Sequence, residues 1–200
     1  QYKELYNFSK DLGLDFIVSC WDLNSIKLVE EHLTVDYHKV ASALATDKEF
    51  LQALNLTKKP VILSTGMCTQ EQVDLALKVL DKCEYVLACT STYPTKTEEV
   101  NLRYIQTLAD TYEGIKVGFS NHYNGHDACM GAVALGSECV EFHITKDRTM
   151  YGSDQAASIE NYESLVKGIR QMEVMLGDGH KKLYDTEVPI MKKLRKADTL

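Results

Sequence analysis

The stretch that decides the fold is KPVILSTGMCTQEQVDLALKVL, residues 59–80. Val61–Ser64 is an unbroken apolar run that ends in a hydroxyl. A run without polar alternation suits a strand buried on both faces, as in parallel sheets. Gly66 follows, where a bare backbone permits close approach. Thr69 and Gln72 then form a capping-box pattern. From Gln70 to Leu80, Val73, Leu77 and Leu80 recur at helical spacing. The stretch therefore reads as one strand–turn–helix unit whose helix start offers free N–H groups to an anion.

The same alternation extends to both sides. Further apolar runs lie at Phe16–Cys20, Tyr37–Ala41, Tyr85–Cys89, Val117–Ser120 and Val140–Ile144. Helix-like segments cover Leu102–Tyr112, Asp127–Leu135 and Ile159–Leu176, the last ending at Gly177, and Tyr2–Leu12 reads as a helix leading into the first strand. Strands alternating with helices imply repeated βαβ units and a parallel sheet. There is no internal repeat or low-complexity linker, and three prolines make no hinge. The expectation is an α/β (β/α)8 TIM barrel over residues 1–176, incomplete, with about six of eight strands and the first two missing. Six strands do not close such a barrel; an open sheet with exposed edges is the alternative. Residues 177–200 read as a basic tail, a solvated arm on the barrel's exterior.

Composition narrows the function. The chain has 200 residues, 44% hydrophobic and 26% charged, with a net charge of −7. Nothing in that balance favours a nucleic-acid backbone or an anionic membrane. An acidic protein that binds an anion must use local cations and backbone N–H groups. No run of 18 apolar residues occurs, so no transmembrane helix is expected. The opening QYKELYNFSKDLG is polar and charged, unlike a signal peptide. Six cysteines are scattered without a C-x-x-C pair, which argues against zinc and for a reducing, cytoplasmic compartment. Cys20, Cys89 and Cys139 sit in apolar runs and read as small hydrophobes.

Polar residues gather at one end of the runs: Ser42, Ser64-Thr65-Gly66, Thr90-Ser91-Thr92-Tyr93, Ser120-Asn121-His122 and His143. In a parallel barrel those ends share one face, where the active site is built. Each Ser or Thr could equally cap the helix that follows; their recurrence favours a shared anion site. His122 and His143 follow neighbouring strands, whose spacing is about 5 Å. Two imidazoles so placed can share a divalent metal, or can be a hydrogen-bonded pair. Glu141 and Asp154 are nearby acids, and Glu141 shares His143's strand face. Lys39 lies inside YHKVAS, where an ammonium is costly unless it meets an anion or snorkels out. Alternation puts Lys39 and Ala41 on one face, and His38, Val40 and Ser42 on the other, with His38 among the outer helices.

KPVILSTGM, CTSTYP, EEVNLRYI, VGFSNH, GAVALGS and EFHITKDRTMYGSDQAAS, in that order, closely resemble the sialic acid (N-acetylneuraminate) synthases. The resemblance spans nearly the whole chain, and its end resembles a branch that stops soon after the barrel, without the C-terminal antifreeze-like domain. It implies a (β/α)8 barrel that uses phosphoenolpyruvate, an amino-sugar aldehyde such as N-acetylmannosamine, and a divalent metal: manganese, with magnesium or cobalt as alternatives. It implies His122 and His143 as metal ligands. Lys39, Ser42, Ser64 and Ser120 match positions that hold phosphoenolpyruvate, and Ser91 stands where many members have Asn. Tyr93 and Asp154 match positions that contact the sugar. Family members are commonly dimers, so a homodimer is the assembly it allows. Leu44, Asn121, Phe142 and Gln155 depart from the usual acidic, Asp or Gly, basic and His residues, which bears on the acceptor sugar. The family's first two strands supply a glutamate and a lysine that these residues do not include. The expected reaction is condensation of phosphoenolpyruvate with the sugar aldehyde to a nine-carbon 2-keto acid plus phosphate. A legionaminic-type synthase and an inactive sugar- or phosphoenolpyruvate-binding fragment are the alternatives.

Overall fold

In a computed structural model, which describes residues 1–152 and 155–197, six strands form one sheet in the order β1-β2-β3-β4-β5-β6. They are β1 (Val18–Ser19), β2 (His38–Val40), β3 (Val61–Ser64), β4 (Cys83–Cys89), β5 (Lys116–Asn121) and β6 (Cys139–Phe142). Every neighbouring pair is parallel. Each strand therefore pairs with the next in sequence, whereas a doubly wound sheet reverses its order partway. The sheet is the wall of an incomplete TIM barrel, with β1 and β6 at its two edges.

The helices are α1 (Tyr2–Asp11), α2 (Leu23–His32), α3 (Lys48–Leu56), α4 (Gln70–Val79), α5 (Tyr104–Thr111), α6 (Asp127–Ala134), α7 (Tyr162–Leu176) and α8 (Val188–Leu194). Several begin on a side-chain cap that satisfies an otherwise orphaned N–H. Asp22 accepts from Ser25 N at 2.7 Å, Asp47 from Phe50 N at 3.0 Å, and Asn161 from Ser164 N at 3.3 Å. Thr69 and Gln72 make the expected reciprocal capping box at α4. Helices α2 and α3 were not singled out in the sequence; each buries a few apolar residues, Ile26 and Val29 on α2 and Phe50, Leu51 and Leu54 on α3.

The core lies between the sheet's outer face and these helices, in three clusters. Val40, Leu63 and Val61 pack with Phe50, Leu51 and Leu54. Val86, Ala88, Val117 and Phe119 pack with Ile105, Leu108 and Ala132. Cys129, Ile159 and Leu165 form the third. At the start of the strands, Tyr37 Oη donates to Glu84 at 3.0 Å and Lys116 Nζ to the same carboxylate at 3.0 Å. That end of a barrel is the one given to stability.

The strand limits shift at the edges. The first run, read as Phe16–Cys20, pairs only at Val18–Ser19, because an edge strand has a single neighbour to bond. β6 stops at Phe142, so His143 lies one residue beyond it, and Ile144 forms an isolated bridge with Ile159. The last long helix begins at Tyr162, three residues later than read, where Asn161 caps it. Residues 185–194 form a short 3-10 turn and α8, neither of which buries a residue. All six cysteines are free. Among the described residues no helix is long and apolar enough to cross a membrane.

Candidate functional site

The C-terminal strand ends converge on a pocket of about 360 Å³. It is lined by Lys39, Ser42, Ser64, Ser91, Tyr93, Ser120, His122 and His143, so every candidate side chain read from the sequence meets there except Asp154, which lies outside the described residues. Ser19, Trp21, Met67, Glu141 and Phe142 line it too.

Lys39 is only 6% exposed, and it faces the pocket rather than solvent. Its ammonium donates to Ser64 Oγ at 2.8 Å and to the Val40 carbonyl at 3.1 Å, and lies 3.3 Å from Glu141 Oε1. Ser120 stands opposite Glu141 in the β5–β6 register and donates to its Oε2 at 2.6 Å. Ser64 donates to the same oxygen at 3.3 Å. The costly buried cation is thus met by a hydroxyl from β3 and a carboxylate from β6, which Ser64 and Ser120 hold in turn.

A second set of donors surrounds Gly66. Its N–H donates to Ser42 Oγ at 3.0 Å. A Cβ on Gly66 would lie 2.1 Å from Ser91 Oγ and 2.7 Å from Ser42 Oγ, so only glycine lets both hydroxyls close over this backbone. Met67 continues the turn with φ at 59°, a left-handed conformation that side chains seldom take. Strand alternation had turned Ser42 away from Lys39. The chain instead leaves β2 at Val40 and enters a 3-10 turn at Ser42–Leu44, which rotates the hydroxyl into the pocket.

Cys89 does not behave as the small hydrophobe its run suggested. Its Sγ accepts from Ser42 Oγ at 3.5 Å, and lies 3.5 Å from Ser91 Oγ and 3.8 Å from His122 Nδ1. Burial pushes the thiol up, but hydrogen bonds from His122, Ser42 and Ser91 outweigh it and bring the pKa down to about 7. The signal was the polar CTST cluster that Cys89 opens.

His122 is buried, and its Nδ1 is 2.9 Å from the Thr90 carbonyl. A carbonyl only accepts, so Nδ1 carries the proton. In the neutral ring the lone pair is then on Nε2, the arrangement that metal-ligating histidines use. The His122 and His143 rings are 5.3 Å apart between centroids, close enough for both to reach one cation at nitrogen–metal bonds of about 2.1 Å. Tyr93 packs on both, 4.2 Å from His122 and 5.9 Å from His143. Among the described residues no third His, Cys, Asp or Glu completes a set of three around a metal. The donor set fits a cation with two protein nitrogens and its other positions left to water or substrate oxygens. His38, by contrast, points outward, fully buried, with Nε2 2.9 Å from Glu30 Oε1.

Across 202 residues the chain is 35% identical to the human N-acetylneuraminate-9-phosphate synthase, covering 98% of this chain and 56% of that protein. It is 35% identical over 206 residues to the N,N'-diacetyllegionaminic acid synthase of Legionella pneumophila, covering 98% and 57%. The chain therefore spans little more than half the length of these relatives. Its fold superposes on the crystal structure of the N-acetylneuraminic acid (sialic acid) synthetase of Leptospira borgpetersenii in complex with citrate, with a TM-score of 0.85, 28% identity, and coverage of 98% of this chain and 71% of that one. The family model whose description is NeuB matches residues 1–181. By sequence over almost its whole length, and by the wall of strands that carries its polar pocket, the chain belongs to the NeuB family.

Proposed function

We propose that the protein to which this chain belongs condenses phosphoenolpyruvate with an amino-sugar aldehyde, giving a nine-carbon 2-keto acid and phosphate. The observation that carries this reading is a single pocket holding two unlike parts. A buried ammonium and serine hydroxyls sit on one side, and two imidazoles under an aromatic ring sit on the other. The first part suits an anion, and the second suits a carbonyl oxygen and the cation that polarises it. The names of the relatives support the same chemistry.

In this reading Lys39, Ser64 and Ser120 hold the phosphoenolpyruvate anion, while Ser42, Ser91 and the Gly66 backbone close a second group of donors nearby. That fixes the enol carbon C3 against the acceptor's carbonyl carbon, so that a two-body encounter becomes a positioned one. A divalent cation held by His122 and His143, manganese foremost, supplies Lewis-acid polarisation of that carbonyl. As the C3–carbon bond forms, C2 gains positive character. Water adds there, one of its protons passing to the alkoxide left on the acceptor and the other to the phosphate, and the C–O bond to phosphate breaks with both electrons leaving on phosphate as the C2 ketone forms. Lys39 and the surrounding donors stabilise the charge that the departing phosphate gains. Tyr93, Trp21, Met67 and Phe142 give the pocket an apolar rim suited to an N-acyl sugar. A legionaminic-type acceptor is the second reading, supported by the Legionella pneumophila relative of that name, which is as similar to this chain as the human synthase is. Six free thiols support a reducing, cytoplasmic setting.

The test is phosphate release by the full-length protein with phosphoenolpyruvate, manganese and a panel of amino-sugar aldehydes. Sugar-dependent release is expected, and His122→Ala and His143→Ala are each expected to lower it by about 10³-fold or more. Release that neither substitution changes, or none with any sugar while metal is bound, would overturn the reading.

A further inference from the structure

The donors assigned to the substrate anion are already engaged. Glu141 takes the Lys39 ammonium at 3.3 Å, the Ser120 hydroxyl at 2.6 Å and the Ser64 hydroxyl at 3.3 Å through its two oxygens. No incoming anion can use those three groups while the carboxylate holds them, and a second negative charge beside it is repelled. Yet Glu141 is not locked away. Its side chain is 39% exposed at the pocket, whereas that of Lys39 is 7% exposed. Its carboxylate lines the pocket and can move within it, whereas the Lys39 ammonium is fixed behind it on Ser64 and the Val40 carbonyl.

We propose that Glu141 is a resident competitor for the anion subsite: its carboxylate occupies the place of the substrate's anionic group and must be displaced for that group to bind. The proposal rests on the reading above that Lys39, Ser64 and Ser120 receive phosphoenolpyruvate. It makes Glu141 a specificity-determining residue. Monoanions gain little by exchanging with a carboxylate already in place. A phosphoryl group brings more charge and three acceptor oxygens to the same donors, so it wins the exchange. The rival role has the opposite sign. If Glu141 merely neutralises and steadies Lys39, removing its charge loosens the ammonium and weakens anion binding.

The experiment is calorimetric titration of the metal-free full-length protein with inorganic phosphate and with phosphoenolpyruvate, for the natural protein, Glu141→Gln, Glu141→Asp and Lys39→Met. Glu141→Gln is expected to bind both anions at least about tenfold tighter, Glu141→Asp to show a smaller gain through its shorter reach, and Lys39→Met to lose binding. Should Glu141→Gln not fold, Glu141→Asp carries the same decision by gain against equality or loss. Equal or weaker binding in the Glu141 variants, with binding still lost in Lys39→Met, overturns the competitor and leaves the anion subsite standing. Binding that is the same in all four proteins overturns the competitor and the anion-subsite reading together.

Discussion

The middle of the sheet and its two ends are built from similar helices with different outcomes. Around β4 and β5, helix α5 buries Ile105 and Leu108 completely. At one end α1 buries nothing and leaves Leu5 and Phe8 exposed, at 50% and 63%. At the other, α7 buries only Leu165 while Val174 and Met175 face solvent, and α8 buries nothing. All of these helices carry apolar residues at helical spacing. The lesson is that amphipathicity is an offer, and burial depends on having strands and helices on both sides to accept it. Stability should therefore be concentrated in the middle of the sheet, around β2 to β5.

Four measurements would sharpen or break that contrast, taken from the largest expected effect down. Leu108→Ala, in the middle of the core, should cost about 3 kcal/mol in denaturant unfolding; a cost under 1 kcal/mol would mean that the middle is no better packed than the ends. Next comes acid. His38 is buried with Nε2 on Glu30 and no partner for Nδ1, and burial lowers its pKa below the ordinary 6.5 despite the Glu30 carboxylate. The unfolded chain then binds more protons below that pH, so stability present above pH 6.5 is lost as pH falls, with a slope of at most about 1.4 kcal/mol per unit. His38→Gln should flatten the slope in unfolding measured from pH 7 to 5; an unchanged slope would place the acid sensitivity elsewhere. Thr69→Ala removes one half of the α4 capping box and should cost about 1 kcal/mol by thermal or denaturant unfolding. Leu5→Gln on α1 and Val174→Gln on α7 should each stay within about 0.5 kcal/mol. A larger loss from either would show that the exposed ends are held by packing the contrast denies them.

Much of this was legible because strands and caps are written locally. PVILS could only be a buried strand, and Thr69 with Gln72 only a cap. The adjacency of His122 and His143 follows from consecutive parallel strands once the βα rhythm is read. What failed was whatever depended on where the chain turns after a strand. Period-two alternation puts Ser42 on the wrong face because the strand has already given way to a 3-10 turn there. Cys89 reads as filler because its run is apolar, while two of its polar neighbours, Ser42 and His122, come from other segments and only Ser91 lies beside it in sequence. Glu141 was recognised as a neighbour of His143, but its grip on Lys39, Ser64 and Ser120 is tertiary, drawn from residues 21 to 102 positions away, and no spacing rule reports it. Helices α2 and α3 are faint in the sequence for a similar reason: each is short, and the apolar side it buries is defined by the neighbours it packs on.

The uninterrupted strand order has a kinetic consequence. Because every strand pairs with the one before it, each new βα unit can dock on an edge already in place, without waiting for a distant segment. Emergence from the ribosome would then add these units in order, from β1 towards β6. Chemistry arrives in the same order: the ammonium of Lys39 early, the serines in turn, and the carboxylate of Glu141 with the imidazole of His143 at the end. A nascent chain thus holds the Lys39 ammonium on the Ser64 hydroxyl and the Val40 carbonyl alone until β6 joins, and the docking of β6 brings the carboxylate that neutralises it.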